Sequence, residues 1–299
     1  MRILLTGGTG LIGRALCHYW RARGHDLWVY SRRPQQVPAL CGSGVQGLGD
    51  LNELGNQPLD AVINLAGAPI ADRPWTQARR TELRDSRIAL TEHLLAWLAL
   101  HKQRPQVLIS GSAVGWYGDT GEQRVTEQTQ PADQGFAARL CGAWEDAACH
   151  AETLGIRVIR VRTAPVLATE GGMLPRLLRI FRLGLGGPMG SGRQWMPWIH
   201  LQDQIALIDF LLCHPDAQGP YNACSPQPVR NREFAQALGR VLHRPAVLPV
   251  PAMALRLLGE MSGLLLGGQQ AVPERLQAAG FTFRFNDLDA ALADLLGRH

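Results

Sequence analysis

The chain has almost no lysine: Lys102 is the only one, and the other 29 of its 30 basic residues are arginines. A role that calls for a lysine amine therefore has one residue to draw on, and that residue precedes a strand rather than following one. The six cysteines, at 17, 41, 141, 149, 213 and 224, contain no CxxC pair and no Cys/His cluster with metal-ligand spacing. That excludes the common zinc modules and fits reduced thiols, with no metal expected. Although the formal charge is +5, there is no run of five like charges, no zinc-finger spacing and no RNP-like aromatic signature, so nucleic acid is not an expected partner. The longest apolar stretch near the end, residues 253–266, is interrupted by Arg256 and Glu260 and is too short to span a bilayer. Repeats and low-complexity linkers are absent. The chain enters a strand at residue 2, which leaves no room for a signal peptide. These absences lead to the expectation of a soluble cytoplasmic protein, monomer or homodimer. Its 299 residues, 46% apolar, suffice for a full core in one large domain or two unequal ones.

The first thirteen residues carry the strongest positive signal. Arg2 to Thr6 is a short apolar run of parallel-strand length, and it stops at Gly7-Gly8-Thr9-Gly10-Leu11-Ile12-Gly13. Lacking a Cβ, Gly7 makes a tight turn, Gly10 lets a pyrophosphate approach the backbone, and Gly13 lets the next helix pack close to the strand. Thr9, Leu11 and Ile12 complete the loop, whose free N–H groups face the phosphates. The spacing alone also describes an ordinary strand-to-helix turn. What decides is the context: Leu11, Ile12, Ala15, Leu16, Tyr19 and Trp20 follow at helical spacing, and a second strand, Leu27 to Tyr30, comes next. That is a βαβ unit with a nucleotide as its default occupant.

At the end of the second strand an NAD site would place an acidic side chain on the ribose diol. Here the residues are Ser31-Arg32-Arg33, which suit a 2′-phosphate and hence NADP; a solvated basic loop is the alternative. Asp50, after a short strand around 45–48, is placed near the adenine. Residues 61–67 form another buried run ending in small residues, so Leu65, Ala66 and Gly67 are candidate cofactor contacts at a strand's carboxyl edge. A helix is expected over about 75–99, then a strand over 107–110 that runs into Gly111-Ser112-Ala113-Val114-Gly115-Trp116-Tyr117. Beyond it lie Glu127, and Arg139, Cys141, Trp144 and Glu145 on one helix. A strand over 156–161 leads into Arg162-Thr163-Ala164-Pro165. A glycine-rich loop, 186–193, then precedes Trp195, His200 and Asp203. Helices are expected over 231–242, 252–266, 273–279 and 287–296.

TGGTGLIG at 6–13, DAVINLAGAPIADRPW at 60–75, RDSRIALTEHLL at 84–95, SGSAVGWYGDTG at 110–121 and GGPMGSGRQWMPWIHLQD at 186–203 together resemble an atypical extended short-chain dehydrogenase/reductase. The resemblance is to the epimerase-named, NAD-dependent epimerase/dehydratase-like family, and the tail resembles that family's C-terminal domain of unknown function. It implies an α/β fold: a doubly wound, Rossmann-like parallel sheet binding NADP, with a smaller, mainly helical C-terminal substrate domain. The implied division is 1–165 with 199–227 for the dinucleotide, and 166–198 with 228–299 for the substrate.

Catalytically competent relatives pair a Tyr with a Lys one helical turn later, beside a Ser or Thr. Ser112 is in register with that hydroxyl, but the Tyr position falls at Phe136 and the Lys position at Leu140. Without a cation beside it, a phenol is not tuned toward neutral pH, so the usual relay is missing. Ser112 as the orienting hydroxyl and Tyr117 as proton donor are the candidate catalytic residues. Arg193, as anion clamp, and Trp195 are the candidate substrate contacts, while His200 and Asp203 are expected to be structural. The function expected is an NADP-binding oxidoreductase or epimerase acting on a small metabolite. The alternative is an NADP-binding sensor or interaction protein without turnover.

Overall fold

The computed structural model describes residues 1–132 and 135–297, so the last two positions of the expected 228–299 segment lie outside the described residues. The first half alternates strand and helix: β1 (Arg2–Thr6), α1 (Leu11–Arg21), β2 (Asp26–Tyr30), α2 (Val37–Cys41), β3 (Gln46–Leu48), β4 (Ala61–Asn64), α3 (Gln77–Arg84), α4 (Leu90–Leu100) and β5 (Val107–Ala113). Next come β6 (Arg124–Val125), α5 (Phe136–Cys149), β7 (Arg157–Thr163), β8 (Val166–Leu167), α6 (Leu174–Arg182), β9 (Trp195–Met196), β10 (Ile199–His200), α7 (Leu201–Cys213) and β11 (Gly219–Ala223). The remainder is β12 (Val229–Arg230), α8 (Asn231–Leu242), α9 (Ala252–Arg256), α10 (Gly263–Leu266), β13 (Gln270–Ala271), α11 (Glu274–Ala278) and α12 (Leu288–Leu296).

The main sheet has seven strands in the order β11-β7-β5-β4-β1-β2-β3, and every pairing within it is parallel. The chain's direction across the sheet reverses between β1 and β4, which opens a crevice at their carboxyl ends. Side-chain alternation builds both faces. Ile3, Leu5, Val29, Ile63 and Ile109 pack on Leu16 and Trp20 of α1 and Leu207 and Leu211 of α7. The intervening residues Leu4, Trp28, Val62, Leu108 and Val158 pack on Leu94 and Leu98 of α4 and Ala148 of α5. Such two-sided burial is why these strands read as continuous apolar runs. A further core, with Leu174, Phe181, Trp198, Phe234, Leu238, Leu288 and Leu292, joins α6, α8 and α12. Lys102 precedes β5, at the amino edge of the sheet, away from the crevice.

Two helices differ from expectation. The segment expected over 75–99 contains a wider π turn at Asp85–Ala89 between α3 and α4. There Thr91 donates its hydroxyl to the Arg87 carbonyl at 2.6 Å. The segment expected over 252–266 is broken into α9, a 3₁₀ turn at Gly259–Ser262, and α10. Gly259 takes a positive φ of 62°, a conformation that interrupts a right-handed helix.

Candidate functional site

At the head of β1 each glycine has a distinct steric reason. Gly7 has φ +69°, and a Cβ there would lie 2.6 Å from the Leu65 carbonyl carbon, so the turn and the close passage of the 65–66 backbone both require glycine. A Cβ on Gly13 would sit 2.3 Å from the Gly7 oxygen, which fixes how closely α1 approaches the turn. Gly10 is different. Its φ of −77° is open to any residue, and the nearest atom to a Cβ there is the Gly7 oxygen at 3.2 Å. Among the described residues no other atom is close to that position. Gly10 heads α1, whose first turn has no acidic residue and no side-chain cap, so the N–H groups flanked by Thr9, Leu11 and Ile12 suit a phosphate. A buried polar chain fixes the neighbouring strand ends. Thr6 Oγ1 donates to Asn64 Oδ1 at 2.6 Å, Asn64 Nδ2 donates to Thr91 Oγ1 at 2.8 Å, and Ala66 N donates to Thr6 Oγ1 at 3.2 Å. It holds Leu65, Ala66 and Gly67 at the crevice.

Ser31 is half-buried at the end of β2, and Arg32 and Arg33 are exposed beside it. Ser31 Oγ accepts from Arg33 N at 3.2 Å, which turns the pair back across the strand end. Asp50 acts locally, capping the turn at 51–54 in a reciprocal box with Glu53.

Ser112, next to the last residue of β5, sits inside a buried charged network. Its Oγ donates to Glu145 Oε1 at 2.7 Å, and Glu145 is held two-pronged by Arg162, Nε to Oε1 at 2.8 Å and Nη2 to Oε2 at 2.9 Å. Glu145 and Arg162 are each only 2% exposed. Because the Ser112 proton is directed at Glu145, its lone pairs are what it offers to any other group. Arg162 continues to Tyr117, Nη1 to Oη at 3.1 Å, and stacks on the Trp116 ring at 3.5 Å.

Tyr117 is in this network, yet it is sealed. The residue is 0% exposed, and Oη faces Asn222 Oδ1 at 2.8 Å and the Thr126 carbonyl at 2.9 Å. Burial pushes the phenol up to about 12, against the opposing pull of Arg162. It is therefore no base near neutrality, and its proton is committed to Asn222 or Thr126. Asn222 N in turn donates to Glu127 Oε1 at 3.0 Å, and burial raises the Glu127 carboxyl above its ordinary value. The residues at the usual Tyr and Lys positions, Phe136 and Leu140, are both buried in an apolar cluster with Leu83. Phe136 packs edge-on against Trp75.

Arg193 and Trp195 stand apart from this network. Arg193 is exposed, and its carbonyl accepts from Arg230 Nη1 at 2.6 Å. Trp195 carries the Arg230 guanidinium 3.8 Å over its ring and donates from Nε1 to Glu122 at 3.4 Å. His200 and Asp203 have structural contacts. Asp203 accepts the backbone N–H groups of Arg284 and Phe285 at 2.8 and 2.9 Å. His200 caps α7, accepting from Gln202 N on Nδ1 at 3.1 Å, and stacks on Phe285.

Burial lowers the His200 pKa to about 4, with Asp294 opposing the shift. An unfolded histidine titrates near 6.5. Between these values the unfolded chain takes up a proton that the folded ring refuses, so stability falls as pH drops from about 6.5 to about 4, by up to roughly 3 kcal/mol. In urea denaturation at pH 7 and pH 5, the wild type is expected to lose about 2 kcal/mol more than His200→Asn, which keeps a capping acceptor and removes the titration. Equal losses would assign the acid sensitivity to other groups.

Among the described residues no group of three or more His, Cys, Asp or Glu is arranged to hold a metal ion, and no helix is long and apolar enough to cross a membrane. A doubly wound sheet, a glycine turn aimed at its switch point and a basic end to β2 define a dinucleotide-binding α/β protein.

Residues 3–224 match the NAD dependent epimerase/dehydratase family, and residues 250–295 match a domain of unknown function, DUF1731. An epimerase family protein of Mycobacterium bovis is 42% identical over 97% of this chain and 96% of its own length. The epimerase family protein YfhF of Bacillus subtilis is 36% identical over 99% and 98%. The crystal structure of human epimerase family protein SDR39U1, isoform 2, with NADPH superposes at TM-score 0.89 with 33% identity, covering 100% of both chains. The chain belongs to the NAD dependent epimerase/dehydratase family, a family of nicotinamide-dinucleotide-binding proteins.

Proposed function

We propose that this protein binds NADPH in the crevice above β1 and β4 and acts as an oxidoreductase or epimerase on a small metabolite, without the Tyr and Lys pair. The observation that carries the cofactor choice is Ser31-Arg32-Arg33, a hydroxyl and two exposed guanidiniums where an NAD site would carry a carboxylate. The similarity to a human protein crystallised with NADPH supports it. In this reading Gly7, Thr9, Gly10, Leu11, Ile12 and Gly13 receive the pyrophosphate, Leu65, Ala66 and Gly67 line the cofactor's edge, and residues 1–165 with 199–227 form the cofactor unit. Residues 166–198 with 228–299, bringing Arg193 and Trp195, form the substrate unit.

When bound, the nicotinamide would supply hydride chemistry. This chain's own part is to orient the substrate: Ser112, its proton pinned by Glu145, accepts from a substrate hydroxyl. Tyr117 is then a strut that holds Arg162, and through Arg162 holds Glu145. The second reading, a cofactor-binding sensor without turnover, draws on Phe136 and Leu140, neither of which carries a proton.

Titration of NADPH and NADH by fluorescence tests the cofactor claim. Arg32→Ala is expected to weaken NADPH by about 10- to 100-fold and to leave NADH unchanged. Equal wild-type affinity for the two cofactors would overturn it. For turnover, deuterium passing from NADPH deuterated at the nicotinamide C4 into a metabolite pool, and lost in Ser112→Ala, separates enzyme from sensor.

A further inference from the structure

We propose that Arg87 and the indole N–H of Trp144 form an oxyanion-binding site in the crevice wall, for a carboxylate or phosphate group. Two glycines make room for it. The guanidinium of Arg87, carried on the π turn at Asp85–Ala89, occupies the space where Gly67 has no side chain: a Cβ on Gly67 would lie 2.9 Å from the Arg87 Cζ. Trp144, from α5, occupies the corresponding space over Gly111 of β5, where a Cβ would lie 2.8 Å from the ring. Arg87 Cζ is 5.3 Å from the Trp144 ring centroid, so the guanidinium and the indole lie side by side.

Among the described residues neither donor has found an anion. Arg87 donates to the carbonyls of Leu83 at 3.2 Å and Ala68 at 2.9 Å, and loosely to Ser86 Oγ at 3.5 Å. Those bonds leave part of the guanidinium fork uncommitted, and among the described residues no carboxylate pairs with it. Burial lowers the Arg87 pKa, Cys141 opposing and Arg79 adding to the shift, as befits a cation lacking a counter-charge. Trp144 is 7% exposed, and among the described residues its Nε1 has no hydrogen-bond partner. A buried indole N–H normally has an acceptor. An oxyanion would satisfy both at once, two-pronged on the fork and singly on the indole. Arg87 lies within a π turn, and such turns recur at functional sites. The site shares the crevice of the proposed cofactor, and the oxyanion has two possible sources: a phosphate of the cofactor, or an acidic group on the second substrate.

Two titrations on the full-length protein separate these sources. NADPH is titrated by fluorescence, and inorganic phosphate is titrated into the NADPH-saturated protein while tryptophan emission is followed. If the source is the cofactor, Arg87→Gln weakens NADPH by about tenfold or more and phosphate gives no response with the loaded wild type. If it is the substrate, Arg87→Gln leaves NADPH within about twofold and abolishes the phosphate response. Trp144→Phe keeps an aromatic side chain and removes the N–H together with part of the indole. It is expected to give a smaller loss in the same titration, and it carries the test if Arg87→Gln does not fold. Arg87→Gln and Trp144→Phe matching the wild type in both titrations would overturn the proposal. Failure of the wild type to bind NADPH would sink the cofactor reading instead, and phosphate titration of the protein alone would still test this site.

Discussion

Replacing Arg162 by methionine is expected to destabilise the protein by about 3–5 kcal/mol, the usual consequence of leaving one member of a buried ion pair without its partner. Glu145 would retain Ser112 at 2.7 Å and a longer contact to Arg160 at 3.5 Å, neither of which replaces the lost two-pronged bond. Tyr117 and Trp116 would lose their contacts with the guanidinium as well. The double variant Glu145→Met with Arg162→Met removes both charges, so it is expected to recover a large part of the loss. Denaturant midpoints of the two single variants and the double variant give the coupling energy. Additive losses across the cycle would mean that the pair is not the organising contact of this region.

Gly10→Ala is expected to abolish measurable NADPH binding at micromolar cofactor while leaving the fold intact, a weakening of roughly a hundredfold or more. The backbone at Gly10 has ordinary helix-entry angles, and an added methyl meets only the Gly7 oxygen at 3.2 Å within the protein. Its obstruction falls on the pyrophosphate. Gly13→Ala should behave oppositely. The methyl would be driven to 2.3 Å from the Gly7 oxygen and 2.6 Å from the Gly8 Cα, so the folded state itself is expected to lose about 1–3 kcal/mol. Thermal melts without cofactor and fluorescence titration with it separate the two. A Gly10→Ala protein that binds NADPH normally would place the pyrophosphate elsewhere.

What the sequence made legible is what short-range chemistry dictates. The strands of the parallel sheet are buried on both faces, so β1, β4 and β5 stand out as apolar runs, and of the glycines between β1 and α1, Gly7 and Gly13 are each required by a local clash. His200 and Asp203 were expected to be structural, and they are bonded to Gln202 and to Arg284 and Phe285. The surroundings of Tyr117 were not legible. A tyrosine on a glycine-rich loop beside a strand end has the pattern of an exposed donor, and only the return of Arg162 and Asn222 from distant strands encloses it. The π turn at Asp85–Ala89 was hidden because apolar positions continue on both sides of it, from Leu83 to Leu94 and Leu98. Unpaired Arg87 and Trp144 carry no sequence signature, because a missing partner is a property of space.

Asn222 and Asp203 also bear on the order in which the protein can be made. The Asn222 amide donates to the Val272 carbonyl at 3.0 Å, β13 pairs with β6, and Asp203 is satisfied by backbone groups of residues 284 and 285. The part of the chain that carries the seven-stranded sheet therefore has polar vacancies that only the last thirty or so residues fill. A nascent chain leaving the ribosome can assemble β1 to β5 early, but it must keep the β11 edge provisional until synthesis is almost over. For the same reason, a truncation that removes the final segment would leave buried carboxylate and amide groups unsatisfied in the half that remains.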